Sequence, residues 1–188
     1  LQAFNNRGMI ERMMYVPYDC KHNRNFKRVF SHMLIHADWP HLLFNMFSLY
    51  FLGDFLIKSL IQQYGLFVGQ THFFLIYVLG GIFATFIPYI RNQNNPSYRS
   101  LGASGAVSAV IFGAIIWSPG MELQLIFIPI PIPGYIFGPL YLFYEFYADK
   151  KGGSGIAHDA HIGGAIFGIL YVLIINIDKG KEFIEYIF

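Results

Sequence analysis

The sequence predicts an all-α polytopic membrane protein. Three observations carry this expectation. The chain is 55% hydrophobic and 19% aromatic. Only 13% of its residues are charged, against about 25% in an average soluble domain. The charges are also unevenly placed: none occurs between Arg99 and Glu122. Apolar windows of this kind are spanning helices rather than a soluble core. The formal net charge of +2 is too small to suggest nucleic acid as a partner, so the lipid bilayer is the expected surrounding. One cysteine, Cys20, excludes an internal disulfide and a cysteine-based metal cluster.

In order, residues 1–32 are expected to form an interfacial loop leading into the bundle, and residues 33–188 the bundle itself, all within a single domain, 1–188. Residues 5–32 mix Arg7, Arg12, Lys21, Arg24, Lys27 and Arg28 with Met9, Ile10, Met13, Met14, Tyr15 and Val16. That mixture fits an amphipathic segment in the interface and fits a solvated loop equally well. The first span covers residues 42–57, with Asp38 as its N-cap and Pro40 in its first turn. The second runs over about 73–90. The third, about 100–117, is short enough that its N-terminus is expected below the membrane surface. Pro129, Pro131 and Pro133 alternate with isoleucine and predict an extended segment at or outside the membrane edge. The fourth span is placed at about 135–147, with a kink at Pro139, and its aromatic run is assigned to lipid contact. The fifth is placed at about 157–177. Five spans are thus visible. The absence of an initial Met suggests that a helix precedes them.

Polar groups inside such spans are costly and need a reason. Ser104 lies between Gly102 and Gly105 at the mouth of the third span, where a helix start offers free N–H groups. A serine so placed suits nucleophilic chemistry, and small residues there also suit helix packing. His161 lies near the start of the fifth span. His41 and Asn45 are four residues apart and share a face of the first. Gly105, Ala109 and Gly113 form a small-residue stripe, matched by Ala160, Gly164 and Gly168. If the stripes face each other, Ser104 and His161 come within hydrogen-bond reach as nucleophile and base. Counting crossings puts His41, Ser104 and His161 on one side of the membrane. His41, Asn45 and the Ser104 amide then suit oxyanion stabilisation. The sequence offers no acid for a triad: Asp159 points to another face and Asp54 lies at the far end of its helix. A Ser104–His161 dyad is therefore expected. His36 is read as structural, His158 as a loop residue, and His22, His32 and His72 as interfacial. No HExxH pattern occurs, and Ala106 breaks the hydrolase elbow GxSxG. No metal or cofactor is expected.

Three segments, His36-Ala-Asp-Trp-Pro-His41-Leu-Leu-Phe-Asn45, Gly102-Ala-Ser104-Gly105 and Ala160-His161-Ile-Gly-Gly164-Ala-Ile-Phe-Gly168, together resemble the rhomboid family of intramembrane serine proteases. The resemblance implies a rhomboid-like helical bundle whose usual first helix is missing here. It implies Ser104 as nucleophile, His161 as general base, His41, Asn45 and the Ser104 amide as the oxyanion hole, and His36 as structural. Single-pass membrane proteins, cut in or near their transmembrane segment, are the implied substrates, with water reaching the site through a cavity open to one side. A catalytically inactive rhomboid-like protein that binds membrane clients is the alternative, and a structural membrane scaffold is a third. Some members carry an aromatic residue one turn after the serine; here Ser108 stands there. The family's active site generally opens away from the cytoplasm, whereas the cluster of Lys and Arg on the active-site side predicts the reverse by the positive-inside rule. Following the resemblance, the expected location is integral and multi-pass in the cell (inner) membrane.

Overall fold

In a computed structural model, which describes residues 6–125 and 128–188, the chain is mainly helical. Three short helices, α1 (Arg7–Met13), α2 (Pro17–His22) and α3 (Arg28–Ser31), precede the bundle. Then come α4 (Trp39–Tyr64), α5 (Leu66–Asn92), α6 (Ser104–Trp117), α7 (Gly134–Lys151), α8 (His158–Ile175) and α9 (Asp178–Glu185). Helices α4, α5 and α8 are long and apolar enough to cross a membrane by length and composition. Helix α6 is a shorter apolar helix, and α7, with 18 residues like α8, carries Glu145 among its aromatics.

Helix α4 starts as its sequence dictates. The Asp38 carboxylate accepts from the His41 amide at 2.8 Å, and Pro40 sits in the first turn, where its missing N–H costs nothing. The helix relaxes into a π-helical turn over Leu49–Gly53 and runs on to Tyr64, further than the apolar window alone indicates. Gly65, at φ +83°, lets the chain turn into α5.

Helix α6 is the centre of the bundle. From Gly105 to Trp117 it is buried at every position but Ile111. A helix apolar all round is one surrounded on all sides. Its 14 residues span about 21 Å, less than the roughly 30 Å of hydrocarbon. Its two ends therefore cannot both reach the membrane surfaces. Leu56 and Leu60 of α4, Ile76 of α5 and Val172 of α8 close around Ala109, Val110 and Ala114.

The small-residue stripes do face each other. A side chain at Gly164 would collide with the Gly105 backbone, and one at Gly168 with the Ala109 backbone. The axes of α6 and α8 thus approach as closely as two helices can, which only glycine on one side allows.

The isoleucine–proline run is extended, as its sequence predicts. It forms β2 (Ile128–Pro133), antiparallel to β1 (Glu122–Leu125), with Leu123 opposite Ile132. Proline is tolerated in such an edge strand because the missing donors face outward.

Residues 6–35 are folded down onto the bundle. Tyr15 is buried, its hydroxyl donating to the Thr85 carbonyl at 3.2 Å. Arg28 is held by Asp19 at 3.1 Å and by the carbonyls of Glu11 and Met14. His32 is buried beside Tyr15, which corrects its reading as an interfacial residue. Burial pushes its pKa down to about 4.

Candidate active site

Ser104 is the first residue of α6, preceded by a loop fixed from two directions. The Ser100 and Tyr15 main chains exchange hydrogen bonds at 3.0 and 2.8 Å, and the Gly102 amide donates to the His32 carbonyl at 2.9 Å. Tyr98 in the same loop donates its hydroxyl to Asp159 at 2.9 Å, tying the loop to the first turn of α8. Burial and the Asp159 carboxylate raise the Tyr98 pKa, so it stays a donor.

Gly102 has φ +113°, which L side chains rarely adopt. A Cβ there would also strike the His41 ring at 2.5 Å. The Cε1–Nε2 edge of the His41 imidazole therefore lies against the backbone that leads into Ser104. Its ring meets that of His36 edge-on at 5.1 Å. His36 is buried, with its Nε2 lacking a hydrogen-bond partner among the described residues. Burial, with His41 beside it, lowers its pKa to about 4, so it packs as a neutral ring. Asn45, one turn after His41, is 5% exposed, and its Nδ2 has no acceptor among the described residues. A buried donor without an acceptor carries a cost of about 1–3 kcal/mol.

Ser104 and His161 are brought together. Ser104 Oγ is 2.7 Å from His161 Nε2. Close contact between α6 and α8 makes this distance possible, because Gly105 and Gly164 remove the side chains that would hold the helices apart.

Glu145 and His158 were not expected here. The opposite nitrogen of His161, Nδ1, lies 3.1 Å from Glu145 Oε1. The second carboxylate oxygen, Oε2, lies 2.5 Å from His158 Nδ1, and His158 Nε2 is 2.9 Å from Ser154 Oγ. The expectation that no acid stands near the histidine is thereby corrected. The acid comes from α7, not from the neighbours of His161 in sequence. His158 is likewise no loop histidine: it opens α8, is buried, and faces Glu145. One signal in the sequence marked Glu145. It is the one acid within residues 135–147, and an ionisable residue in an apolar span marks a functional site by default. Its side chain faces inward, whereas Phe143, Tyr144, Phe146 and Tyr147 beside it are exposed as expected of lipid-facing aromatics.

Glu145, His158 and His161 offer three ligand atoms within 4.8 Å of one another, a donor set that zinc accepts. In the arrangement described, the same atoms pair with each other through hydrogen bonds.

A bundle of apolar helices holding a serine–histidine pair at the start of its central helix defines a class of membrane-integral protein. The Rhomboid domain model matches residues 23–177, and the chain belongs to the rhomboid family. RHOMBOID-like protein 12, mitochondrial, of Arabidopsis thaliana is 30% identical over 180 residues, covering 87% of this chain and 50% of that protein. Presenilin-associated rhomboid-like protein, mitochondrial, is 29% identical over 143 residues in both Bos taurus and Homo sapiens, covering 73% of this chain and 35% of those proteins. The chain thus spans half the length or less of these relatives.

Proposed function

We propose that the chain is an intramembrane serine endopeptidase that cuts single-pass membrane proteins in or near their transmembrane segment. The 2.7 Å approach of Ser104 Oγ to His161 Nε2 carries this reading. His161 removes the Ser104 proton as Oγ attacks the peptide carbonyl. Negative charge develops on the carbonyl oxygen, within reach of donors supplied by Asn45, His41 and the Ser104 amide. Asn45 Nδ2 is suited to this role because it is buried and has no acceptor of its own among the described residues. The imidazolium then gives its proton to the leaving amine. Water, deprotonated by the same nitrogen, releases the acyl group from Ser104 and regenerates the serine.

A substrate whose helix unwinds at small, helix-breaking residues fits best, since the scissile carbonyl must first leave its helical hydrogen bond. The protein is membrane-integral. Its membrane is the second part of the proposal: the family resemblance implies the cell inner membrane, while the relatives above are named mitochondrial proteins. Fractionation of cells expressing the tagged chain separates the two.

The test is cleavage of a single-pass reporter by the protein in liposomes, beside folded Ser104→Ala and His161→Ala. Cleavage by wild type alone supports the reading. Reporter binding without cleavage by wild type moves the chain to the client-binding class. Cleavage retained in Ser104→Ala overturns the mechanism.

A further inference from the structure

We propose that Glu145 is the positioning residue of the Ser104–His161 pair, fixing the tautomer and the ring orientation of His161, and that His158 holds Glu145 in place. The proposal rests on the protease reading above and assigns a further residue to the same site.

Three observations point the same way. First, the contacts form an unbroken row: Ser104 Oγ to His161 Nε2 at 2.7 Å, His161 Nδ1 to Glu145 Oε1 at 3.1 Å, Glu145 Oε2 to His158 Nδ1 at 2.5 Å, and His158 Nε2 to Ser154 Oγ at 2.9 Å. Second, the Glu145 and His158 side chains are each under 5% exposed, so water does not compete for their partners. Third, nearby cations do not claim the carboxylate. Lys150 and Lys151 follow it on α7 but are both exposed, and Arg91 is engaged by Asp149 at 2.6 Å.

The direction of every hydrogen in the row follows from one fact. An ionised carboxylate only accepts. Facing two imidazoles, it requires N–H at Nδ1 of both. Each neutral ring then has a free electron pair at Nε2, which accepts the Ser104 hydroxyl on one side and the Ser154 hydroxyl on the other. The Ile156 amide in turn donates to Ser154 Oγ at 3.2 Å. Every donor in the row meets an acceptor, and His161 is left in the one neutral form that can deprotonate Ser104. Without the carboxylate, Nδ1–H and Nε2–H forms compete, and the latter presents a proton to a serine that must lose one.

The arrangement also needs room. Ser108, one turn after Ser104, is small, and the Tyr141 hydroxyl sits 3.4 Å from it. Tyr141 and Glu145 are four residues apart on α7, so one face of that helix supplies both groups to the site.

Glutamine does not satisfy both rings. It keeps the size of Glu145 but offers one acceptor and one donor to two rings that each need an acceptor, so one imidazole must change tautomer. At His158 the logic differs. Asparagine places an amide N–H near the former Nδ1 and keeps the bond to Oε2, whereas alanine leaves that oxygen unpaired.

The test uses the full chain in lipid bicelles, with a single-pass reporter and with selective 15N-histidine labelling. The expected result is a kcat for Glu145→Gln lowered by about 100-fold or more, with KM within about two-fold of wild type. His158→Ala is expected to lose activity, and His158→Asn to recover most of it. In the wild-type 15N spectrum, the His161 signals, identified by their loss in His161→Gln, show a protonated Nδ1 and an unprotonated Nε2. That spectrum needs no Glu145 variant, so a variant that fails to fold does not shield the proposal. Wild-type kcat in both Glu145→Gln and Glu145→Ala, or an unprotonated Nδ1 at His161, overturns it. A wild-type chain that cuts no reporter while keeping the Nδ1–H signal overturns the protease reading, and with it any catalytic use of Glu145, but leaves the pairing intact.

Discussion

Asn45 shows what a single residue contributes to this site. An amide group buried on a membrane helix, its donor unpartnered among the described residues, is a liability in the resting protein. On the proposed mechanism an oxyanion forms in front of it, and the liability becomes an asset. Asn45→Ala is therefore expected to lower kcat about 100- to 1,000-fold, the loss that goes with one oxyanion donor. Because it also removes an unsatisfied buried group, the thermal midpoint should stay level or rise; steady-state kinetics beside a melting curve check both. Ser104, His161, His41 and Asn45 were legible from spacing and from the motifs around them. Glu145 was not. Its partner His161 is 16 residues away, and the aromatic run around it reads as lipid-facing. Only the antiparallel passage of α7 beside α8, a tertiary fact, turns its side chain inward. The loop Gly152–Gly155 hid His158 in the same way, since a glycine-rich linker suggests that the residue after it is still loop.

At the scale of the element, the pairing of α6 with α8 decides whether the site exists. The two stripes of small residues were readable as a period of four, and the structure puts them backbone to backbone. Gly164→Val would drive its side chain into the Gly105 backbone one residue from Ser104. The expected outcome is a loss of a few kcal/mol of stability, by overpacking, together with lost activity. A thermal melt and the reporter assay read both, and a variant that keeps wild-type stability would contradict the packing described. The ends of the elements were less legible. Helix α4 outruns its apolar window at its C-terminal end, because a π-helical turn and then a paired Asp54–Lys58 face carry it on to Tyr64. Polar residues that pair along a helix look like a terminus in the sequence alone.

At the scale of the molecule, the segment before α4 acts as a clamp on the serine loop, and its histidines make the clamp sensitive to acid. His32 and His36 each have a folded-state pKa near 4, below the ordinary value of 6.5. Between pH 6.5 and about 4 the unfolded chain binds protons that the folded chain refuses, so stability falls as the pH falls through that window and levels off below it. His32 accounts for about 3 kcal/mol of the loss at most. Arg28 acts the other way: its main-chain carbonyl lies 3.0 Å from His32 Nδ1, a contact that offsets part of the shift caused by burial. The melting midpoint in detergent should therefore drop between pH 7 and pH 5, and drop less in His32→Gln. An unchanged midpoint would contradict the neutral, buried state of these rings. Sequence reading placed His32 at an interface because nothing in residues 5–32 indicates which of their apolar residues fold back onto the bundle.

The central claim is that His161 activates Ser104. A fluorophosphonate reports this directly, because it modifies a serine only when a base deprotonates it. Wild type in lipid, treated with the reagent and digested, should yield one modified peptide at Ser104, with labelling lost in His161→Ala despite an intact fold. Labelling of Ser104 at the same rate without His161, or no labelling of folded wild type, would contradict the account.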